Sequence, residues 1–161
     1  MITAQDLAEA FARNLNVIQR QTKGLTHQDS LLQLPFRGNC LNWVLGHIAG
    51  NRNRVLRILG REPALSEAEA ARYGYGSEPV CGEGEGVLRL ERLIAALEDS
   101  QARIEAGLQR ITSEELAREL KNPWGTATAA QTLFFLYYHE TYHTGQTELL
   151  RQLAGTDDKV I

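Results

Sequence analysis

The sequence lacks any apolar run long enough to cross a membrane, and it has no segment typical of a secretory signal. Its first residues, MITAQDLAEAFARN, place charged side chains among the apolar ones, whereas a signal needs an uninterrupted apolar segment. We therefore expect neither membrane insertion nor export, and we predict a cytoplasmic protein.

Cysteine is also scarce, and the chain has no excess of positive charge. The only two cysteines, Cys40 and Cys81, are far apart and match no CxxC pattern, which predicts two ordinary reduced thiols rather than a structural disulfide. Seventeen Lys and Arg residues are outnumbered by 20 Asp and Glu residues, so the net charge is -3. Such a charge balance does not attract a phosphate backbone, and nucleic acid is not an expected partner.

Convincing β-strand patterns are missing as well. With 161 residues, of which 43% are hydrophobic, the chain is long enough for one globular domain with its own core, spanning residues 1–161. Apolar residues recur at steps of three and four in four segments, which predicts an all-α fold, most simply a four-helix bundle. The four segments are 3–23, 41–60, 87–111 and 126–155.

Capping signals mark the ends of these helices. Asn39 is the predicted N-cap of the second helix. Thr128 and Gln131 can form a capping box at the start of the fourth helix, and Gly155 suits its C-terminal stop. Trp124, in the KNPWG break before that helix, is expected to cover one end of the bundle.

The connection between the second and third helices is long and rich in Gly, Pro, Glu and Ser. A connection of this length is usually a crossover or a functional lid, and a short helix is predicted within it at 66–72. The Gly-rich part, 74–86, is expected to be flexible. Tyr73 and Tyr75 could line a pocket, although exposed loop tyrosines are more common.

The fourth helix carries polar residues in a seam that otherwise predicts a buried face. The seam follows steps of four and three through Thr132, Leu136, His139, His143, Gln146, Leu150 and Leu153. His139 and His143 lie one turn apart, so both imidazoles can point at a common atom. A buried imidazole needs partners for its nitrogens, and one metal ion satisfies two rings at once.

A metal site at this pair needs at least one more ligand. His47 in the second helix is the natural candidate, because its neighbours on the helical wheel face the bundle interior or its edge. Taken alone, His47 would more often be structural; the pair in the fourth helix favours a metal site. His27 falls in a predicted loop, where a histidine is usually solvated, and it has only a small chance of approaching the metal.

The second helix also carries an arginine run, made up of Arg52, Arg54, Arg57 and Arg61. Most such runs form a solvated surface. Arg54 differs because it lies two turns beyond His47 on a similar heading, where it could reach an anionic group of a substrate at the mouth of the site.

His139, Glu140 and His143 formally spell HExxH, the zincin protease motif in which the Glu is the general base. The extension of that motif is absent, because Gly145 is two residues beyond the second His rather than three and position 149 is Leu. The chain also lacks the strands that hold a protease substrate. The protease interpretation therefore ranks below the bundle interpretation.

Read together, NWVLGHIAGNRNRVL in the second helix and HETYHTGQTELLRQLAG in the fourth closely resemble the DinB-like superfamily of small metal-binding four-helix bundles. In that family a His on the second helix joins a His-x-x-x-His pair on the fourth, followed by Gly-Gln and a Leu-Arg-x-x-Gly ending. The matching positions here are His47, His139, His143, Gly145, Gln146, Leu150, Arg151 and Gly155.

The resemblance implies a bundle with a long crossover connection between helices 2 and 3, commonly a homodimer, holding zinc, nickel or a similar divalent ion. Members with assigned activity include transferases and isomerases that use low-molecular-weight thiols. The family name, taken from DNA-damage induction, implies no DNA binding.

Three neutral imidazoles leave a coordination position open, as in catalytic rather than structural sites, where an ion can lower the pKa of a water or a thiol. Gln146 is the best candidate for supporting a ligand or contacting the substrate, and Glu140 could orient a ligand or act as a base only if the helix turns it inward.

Two function classes stay open: a metal-dependent transferase or hydrolase acting on a small molecule, and a non-enzymatic metal-containing bundle that binds a small molecule or a stress signal.

Overall fold

The computed structural model describes residues 3–122, 125–156 and 158. In chain order its elements are α1 (Ala4–Thr22), α2 (His27–Ser30), α3 (Leu41–Ile58), α4 (Glu67–Ala71), α5 (Leu90–Leu108), α6 (Ser113–Ala117), β1 (Glu119–Asn122), β2 (Gly125–Thr128) and α7 (Ala129–Leu153). The long helices α1, α3, α5 and α7 form the predicted all-α bundle. No helix in the described part of the chain is long and apolar enough to span a membrane.

Each of α1 and α3 packs against both α5 and α7, so α1 and α3 occupy opposite corners of the bundle. Most of the interior is filled by apolar side chains that are essentially inaccessible to water. Its fully buried members include Phe11, Ile18, Leu45, Ile48, Leu56, Leu93, Leu97, Ile104 and Leu133. Burying each such side chain stabilises the fold by roughly 1.5–3 kcal/mol.

Capping boxes start most of the helices. At α7 the Thr128 hydroxyl accepts the backbone N–H of Gln131, and the Gln131 side-chain oxygen accepts the backbone N–H of Thr128, as predicted. Gly155 follows the helix at φ +82°, a conformation that favours glycine and ends the helix. The prediction of Asn39 as the N-cap of the second helix is wrong, since Cys40 takes that position without a side-chain bond.

The crossover between α3 and α5 contains α4, which matches the short helix predicted there, and Ser66 caps it. Tyr73 follows α4 and is only 1% exposed, so the expectation of exposed loop tyrosines fails for it, while Tyr75 is fully exposed. The Tyr73 ring lies so close to the backbone of Gly46 that a Cβ at position 46 would collide with it. A glycine on α3 therefore lets the crossover pack directly against the bundle.

Two local features differ from the sequence-based expectation. The segment after α1, predicted as loop, contains α2. β1 and β2 pair antiparallel with Glu119 opposite Thr128, where no strands were expected; four-residue strands are too short to show a clear alternation. Trp124, expected to cover one end of the bundle, lies outside the described residues.

Cys40 is buried, Cys81 is exposed and both thiols are free, as predicted.

The buried face of α7 is offset by about one residue from the predicted seam. Its polar buried members are Glu140, Thr144, Thr147 and Arg151, whereas His139, His143 and Gln146 are half-buried at the edge of that face. The Thr144 hydroxyl donates to the Glu140 carbonyl and the Thr147 hydroxyl donates to the Thr144 carbonyl, so these polar groups are satisfied within the helix.

Candidate metal centre

Three imidazoles from two helices converge at the edge of the bundle. His47 comes from α3, and His139 and His143 come from successive turns of α7. One nitrogen from each ring lies within 4.8 Å of the others. The Nε2 atoms of His47 and His139 are 3.4 Å apart. We call these three residues the histidine triad.

The ring of His47 is fixed from two sides. Trp43, one turn earlier on α3, stacks on it with ring centroids 4.6 Å apart and an angle of 12° between the planes. Its Nδ1 lies 2.7 Å from the backbone carbonyl oxygen of Tyr73. Because a carbonyl oxygen can only accept, Nδ1 carries the proton and the lone pair of Nε2 faces the triad.

His143 is oriented by the same kind of contact. Its Nδ1 lies 2.8 Å from the side-chain oxygen of Gln146, one turn further along α7. With the amide oxygen as acceptor, Nδ1 donates and Nε2 keeps its lone pair. Gln146 therefore stands where a supporting partner of a metal-ligating histidine is normally found.

His139 has the least complete set of partners. Its Nδ1 is buried and has no hydrogen-bond partner in the described part of the chain. Phe135, one turn earlier, packs against its ring with centroids 6.2 Å apart. A buried polar nitrogen without a partner costs free energy, so His139 is the least well satisfied of the three rings.

The pKa of each of the three imidazoles is lowered, which favours the neutral form of the rings. The pKa of His139 is lowered to about 4, mainly by burial and then by the neighbouring His143, His47 and Arg54 in that order. Burial is also the main cause that lowers the pKa of His47 and of His143, while the bonds to the Tyr73 carbonyl and to Gln146 act in the opposite direction. Metal ions bind neutral imidazole, so the triad is held in the form that a metal requires.

One pair of triad nitrogens has the spacing that a small divalent ion requires. In a tetrahedral site with metal–nitrogen bonds of about 2.0–2.1 Å, two ligand nitrogens lie roughly 3.3–3.4 Å apart. The measured separation of the His47 and His139 Nε2 atoms is 3.4 Å. The neutral donor set and this spacing agree with a His₃ metal site.

Arg54 lies close to the triad. Its Nη1 donates to the side-chain oxygen of Asn51 at 3.3 Å, and the Asn51 amide nitrogen is 3.2 Å from His47 Nε2. A cavity of about 170 Å³ between α3 and the crossover is lined by His47, Arg54 and Gly74, among others. A second cavity of about 220 Å³ borders His143 and Gln146.

Glu140 turns inward, but towards a different partner. Its two carboxylate oxygens accept Nε and Nη2 of Arg52 at 2.9 and 2.7 Å, and its side chain is 2% exposed. A zincin needs this Glu as a free general base, so the ion pair argues against the protease interpretation. Arg52 itself is fully buried, and the prediction that the arginine run forms a solvated surface is wrong for it.

His27 belongs to another cluster. It is 2% exposed in α2, where its Nδ1 accepts the backbone N–H of Leu90 at 3.1 Å and its Nε2 faces a Glu83 oxygen at 3.0 Å. The expectation of a solvated loop histidine is wrong, because α2 turns the ring towards the start of α5. His27 contacts Glu83 of the 74–86 segment and is not among the three histidines of the triad.

Comparison with known proteins identifies the family of this chain. The family model described as the DinB superfamily matches residues 10–147. The crystal structure of a conserved protein from Enterococcus faecalis superposes with a TM-score of 0.73, covering 97% of this chain and 99% of that one at 18% identity, which supports the fold. No curated protein sequence matches the chain.

Proposed function

The chain belongs to the DinB superfamily, and we propose that it is a metal-dependent protein of that family that acts on a small molecule. His47, His139 and His143 hold one divalent ion in this proposal. The observation that carries it is the convergence of three neutral imidazoles, two of them oriented by oxygen acceptors, beside cavities that a small molecule can enter.

Zinc or nickel is the proposed ion, because imidazole nitrogen suits both and the donor set contains neither thiolate nor carboxylate. Three neutral ligands leave the charge of the ion uncompensated. When bound, the ion supplies Lewis acidity that favours ionisation of a water or a thiol and polarises an electrophile.

The surrounding residues have separate proposed tasks. Tyr73 and Gln146 hold the Nδ1 protons of His47 and His143, which fixes the tautomer of each ring and aims Nε2 at the ion. Gln146 also borders the cavity next to His143, where it can contact a substrate. Glu140 is not assigned a proton-transfer role here because both of its oxygens are bound by Arg52.

The proposed reaction is transfer to, or hydrolysis of, a small electrophilic molecule, with a low-molecular-weight thiol as the co-substrate of a transfer. In the transfer, the thiol sulfur forms the new bond to the electrophilic carbon, the leaving group departs with the electron pair of the broken bond, and the thiol proton passes to solvent. In hydrolysis, water takes the place of the thiol.

Elemental analysis of the untagged protein, followed by a screen of thiols and electrophiles, tests this proposal. We expect about one divalent ion per chain in the wild type and loss of most of the metal in His47→Ala, His139→Ala and His143→Ala. His27→Gln is the matched control, because it removes the fourth histidine and should keep the metal.

Product formation by the wild type and its absence in His143→Ala would support the enzyme. A metal-loaded wild type with no rate above background across a broad panel would favour the non-enzymatic binding bundle. Full metal content in all three alanine variants would overturn the site itself.

A further inference from the structure

A cavity of about 420 Å³ lies between the β1–β2 sheet and the first turns of α7. We call it the hairpin cavity; its walls include Arg54, Ala127, Thr126, Thr132 and Phe135. Arg54 is the only charged residue among the described residues that line it. The same arginine also lines the cavity against His47, so one guanidinium borders both spaces.

Arg54 has spare hydrogen-bonding capacity. Its Nη1 donates to Asn51, and no carboxylate of the described residues lies within ion-pair distance of it. Arg52 and Arg57 on the same helix each face a glutamate, at 2.7 and 3.7 Å. A half-buried guanidinium has five N–H donors in a planar fork that matches a carboxylate, so Arg54 is available to bind one.

The other walls of the hairpin cavity suit an apolar group. Phe135 and Ala127 are apolar. Thr126 and Thr132 each carry a methyl group beside the hydroxyl, and Gln131 adds one amide. A dry cavity of about 150 Å³ is known to hold benzene. The hairpin cavity therefore has room for a body of about one ring in addition to an anionic head group.

Two contacts connect this cavity with the histidine triad. On one side Arg54 donates to Asn51, whose amide nitrogen is 3.2 Å from His47 Nε2. On the other side Phe135 packs against the ring of His139 with centroids 6.2 Å apart. A ligand that lies between Arg54 and Phe135 is therefore next to two of the three triad residues.

We infer that the hairpin cavity binds an organic monocarboxylate, with its carboxylate on Arg54 and its apolar body against Phe135. A single guanidinium matches one carboxylate in charge and shape, whereas a phosphate monoester carries more charge than this cavity offers. That this ligand is the substrate rests on the proposed function; that the cavity binds it does not.

Calorimetric titration of the purified protein with phenylacetate tests the inference. Phenylacetamide, which has the same shape without charge, and acetate, which lacks the apolar body, are the comparison ligands. We expect both to bind at least about tenfold more weakly than phenylacetate, because each loses one of the two contacts. Phenyl phosphate in the same titration separates a carboxylate site from a phosphate site.

Arg54→Gln should weaken phenylacetate binding by about tenfold or more and leave phenylacetamide binding unchanged. Arg57→Gln is the matched control, since Arg57 is on the same helix but does not line the cavity, and it should bind like the wild type. The far-UV circular dichroism spectra and the metal content are measured in parallel and should be equal in both variants; equal spectra show that each one is folded, whether or not it contains metal.

Unchanged phenylacetate affinity in Arg54→Gln would overturn the inference, as would tighter binding of phenyl phosphate. His143→Ala separates this result from the proposed function. If the cavity is the site, phenylacetate still binds to this variant after its metal is lost. If binding disappears with the metal and is indifferent to Arg54, the carboxylate coordinates the ion and the cavity assignment is wrong. A wild type that binds phenylacetate but contains no metal would refute the proposed function alone.

Discussion

Arg52 on α3 and Glu140 on α7 form a bidentate ion pair in the centre of the bundle, with side-chain exposures of 0% and 2%. The guanidinium also donates to the Leu97 carbonyl and the Ser100 hydroxyl on α5 and to the Phe11 carbonyl on α1. One side chain thus connects all four long helices, and both charges are fully hydrogen-bonded.

This pair also fixes the relation between the two helices that carry the triad. Glu140 immediately follows His139, and Arg52 lies five residues after His47. A rotation of α7 that moved His139 away from His47 would pull the Glu140 carboxylate off the guanidinium and leave two unpaired charges in the core. The cost of such unpaired charges is several kcal/mol, so the pair favours one register of α7 against α3.

Glu140→Gln should therefore destabilise the protein strongly, because it leaves the Arg52 charge buried without a counterion. We expect a loss of about 3–5 kcal/mol in the free energy of unfolding, measured by denaturant titration. Asp99→Asn is the control, since its pair with Arg103 is partly exposed and should contribute less than about 1 kcal/mol.

Replacing both partners gives a further check on the same pair. Arg52→Met combined with Glu140→Leu should cost less than the sum of the two single changes, because no unpaired charge remains. An effect of Glu140→Gln as small as that of Asp99→Asn would contradict the role assigned to the pair.

The sequence contains enough to predict the bundle and the three histidines. Spacing at three and four residues reports which residues share a helix face, and His139 and His143 share one in any α-helix. His47 could be added because its neighbours on the helical wheel, Trp43, Val44 and Asn51, turn it towards the bundle interior or its edge. These inferences depend on the spacing of residues within each helix, which can be read from the sequence.

The buried ion pair could not be predicted from the spacing of residues in the same way. Arg52 belongs to a run of arginines, and a run alone does not say which member turns inward. The signal that could have revealed it is the offset of the α7 face, because a seam through Leu133 and Leu136 continues to Glu140 rather than His139. A buried Glu requires a cation, and the pairing then depends on contacts between helices.

Gln146 should affect the affinity for metal through His143. Gln146→Ala removes the acceptor of the Nδ1 proton and should weaken metal binding by about 10–100-fold, as measured by competition with a chelator. Gln146→Glu offers a charged acceptor and should strengthen binding. Gln152→Ala, an exposed change on the same helix, should have no effect. Equal affinities in all four proteins would show that Gln146 does not support the site.

Acid should destabilise the metal-free protein through the triad. The pKa of His139 is lowered to about 4 in the folded state, mainly by burial, whereas that of an unfolded histidine is about 6.5. The unfolded chain therefore binds more protons between these values, so this contribution to stability is complete above about pH 6.5 and is lost as the pH falls towards 4. The shifts of His47 and His143 act in the same direction.

His139→Gln removes one of these groups and should reduce the dependence on pH. In denaturant titrations of the metal-free proteins at pH 7 and pH 5, we expect the wild type to lose more stability than the variant over this interval. An equal loss in both proteins would mean that His139 is not held neutral by burial.

The homodimer that the family resemblance implies stays a prediction, and α7 offers a surface for it. Tyr138 and Tyr142 are each 61% exposed and Leu149 is 51% exposed, although all three are large and apolar or aromatic. With Gly145 they follow steps of four, three and four, the spacing of a helix that pairs with a second helix. A Cβ at position 145 would meet nothing within 4 Å, so the backbone is open to a close approach there.

We therefore expect the wild type to be a dimer by light scattering at micromolar concentrations, with α7 of one chain against α7 of the other in a two-fold arrangement. Tyr138→Glu combined with Tyr142→Glu places like charges across such an interface and should give monomers. Tyr75→Glu is the control, because Tyr75 is fully exposed in the crossover and its change should leave the dimer intact. A monomeric wild type would remove the prediction, and a double variant that stays dimeric would move the interface to another face.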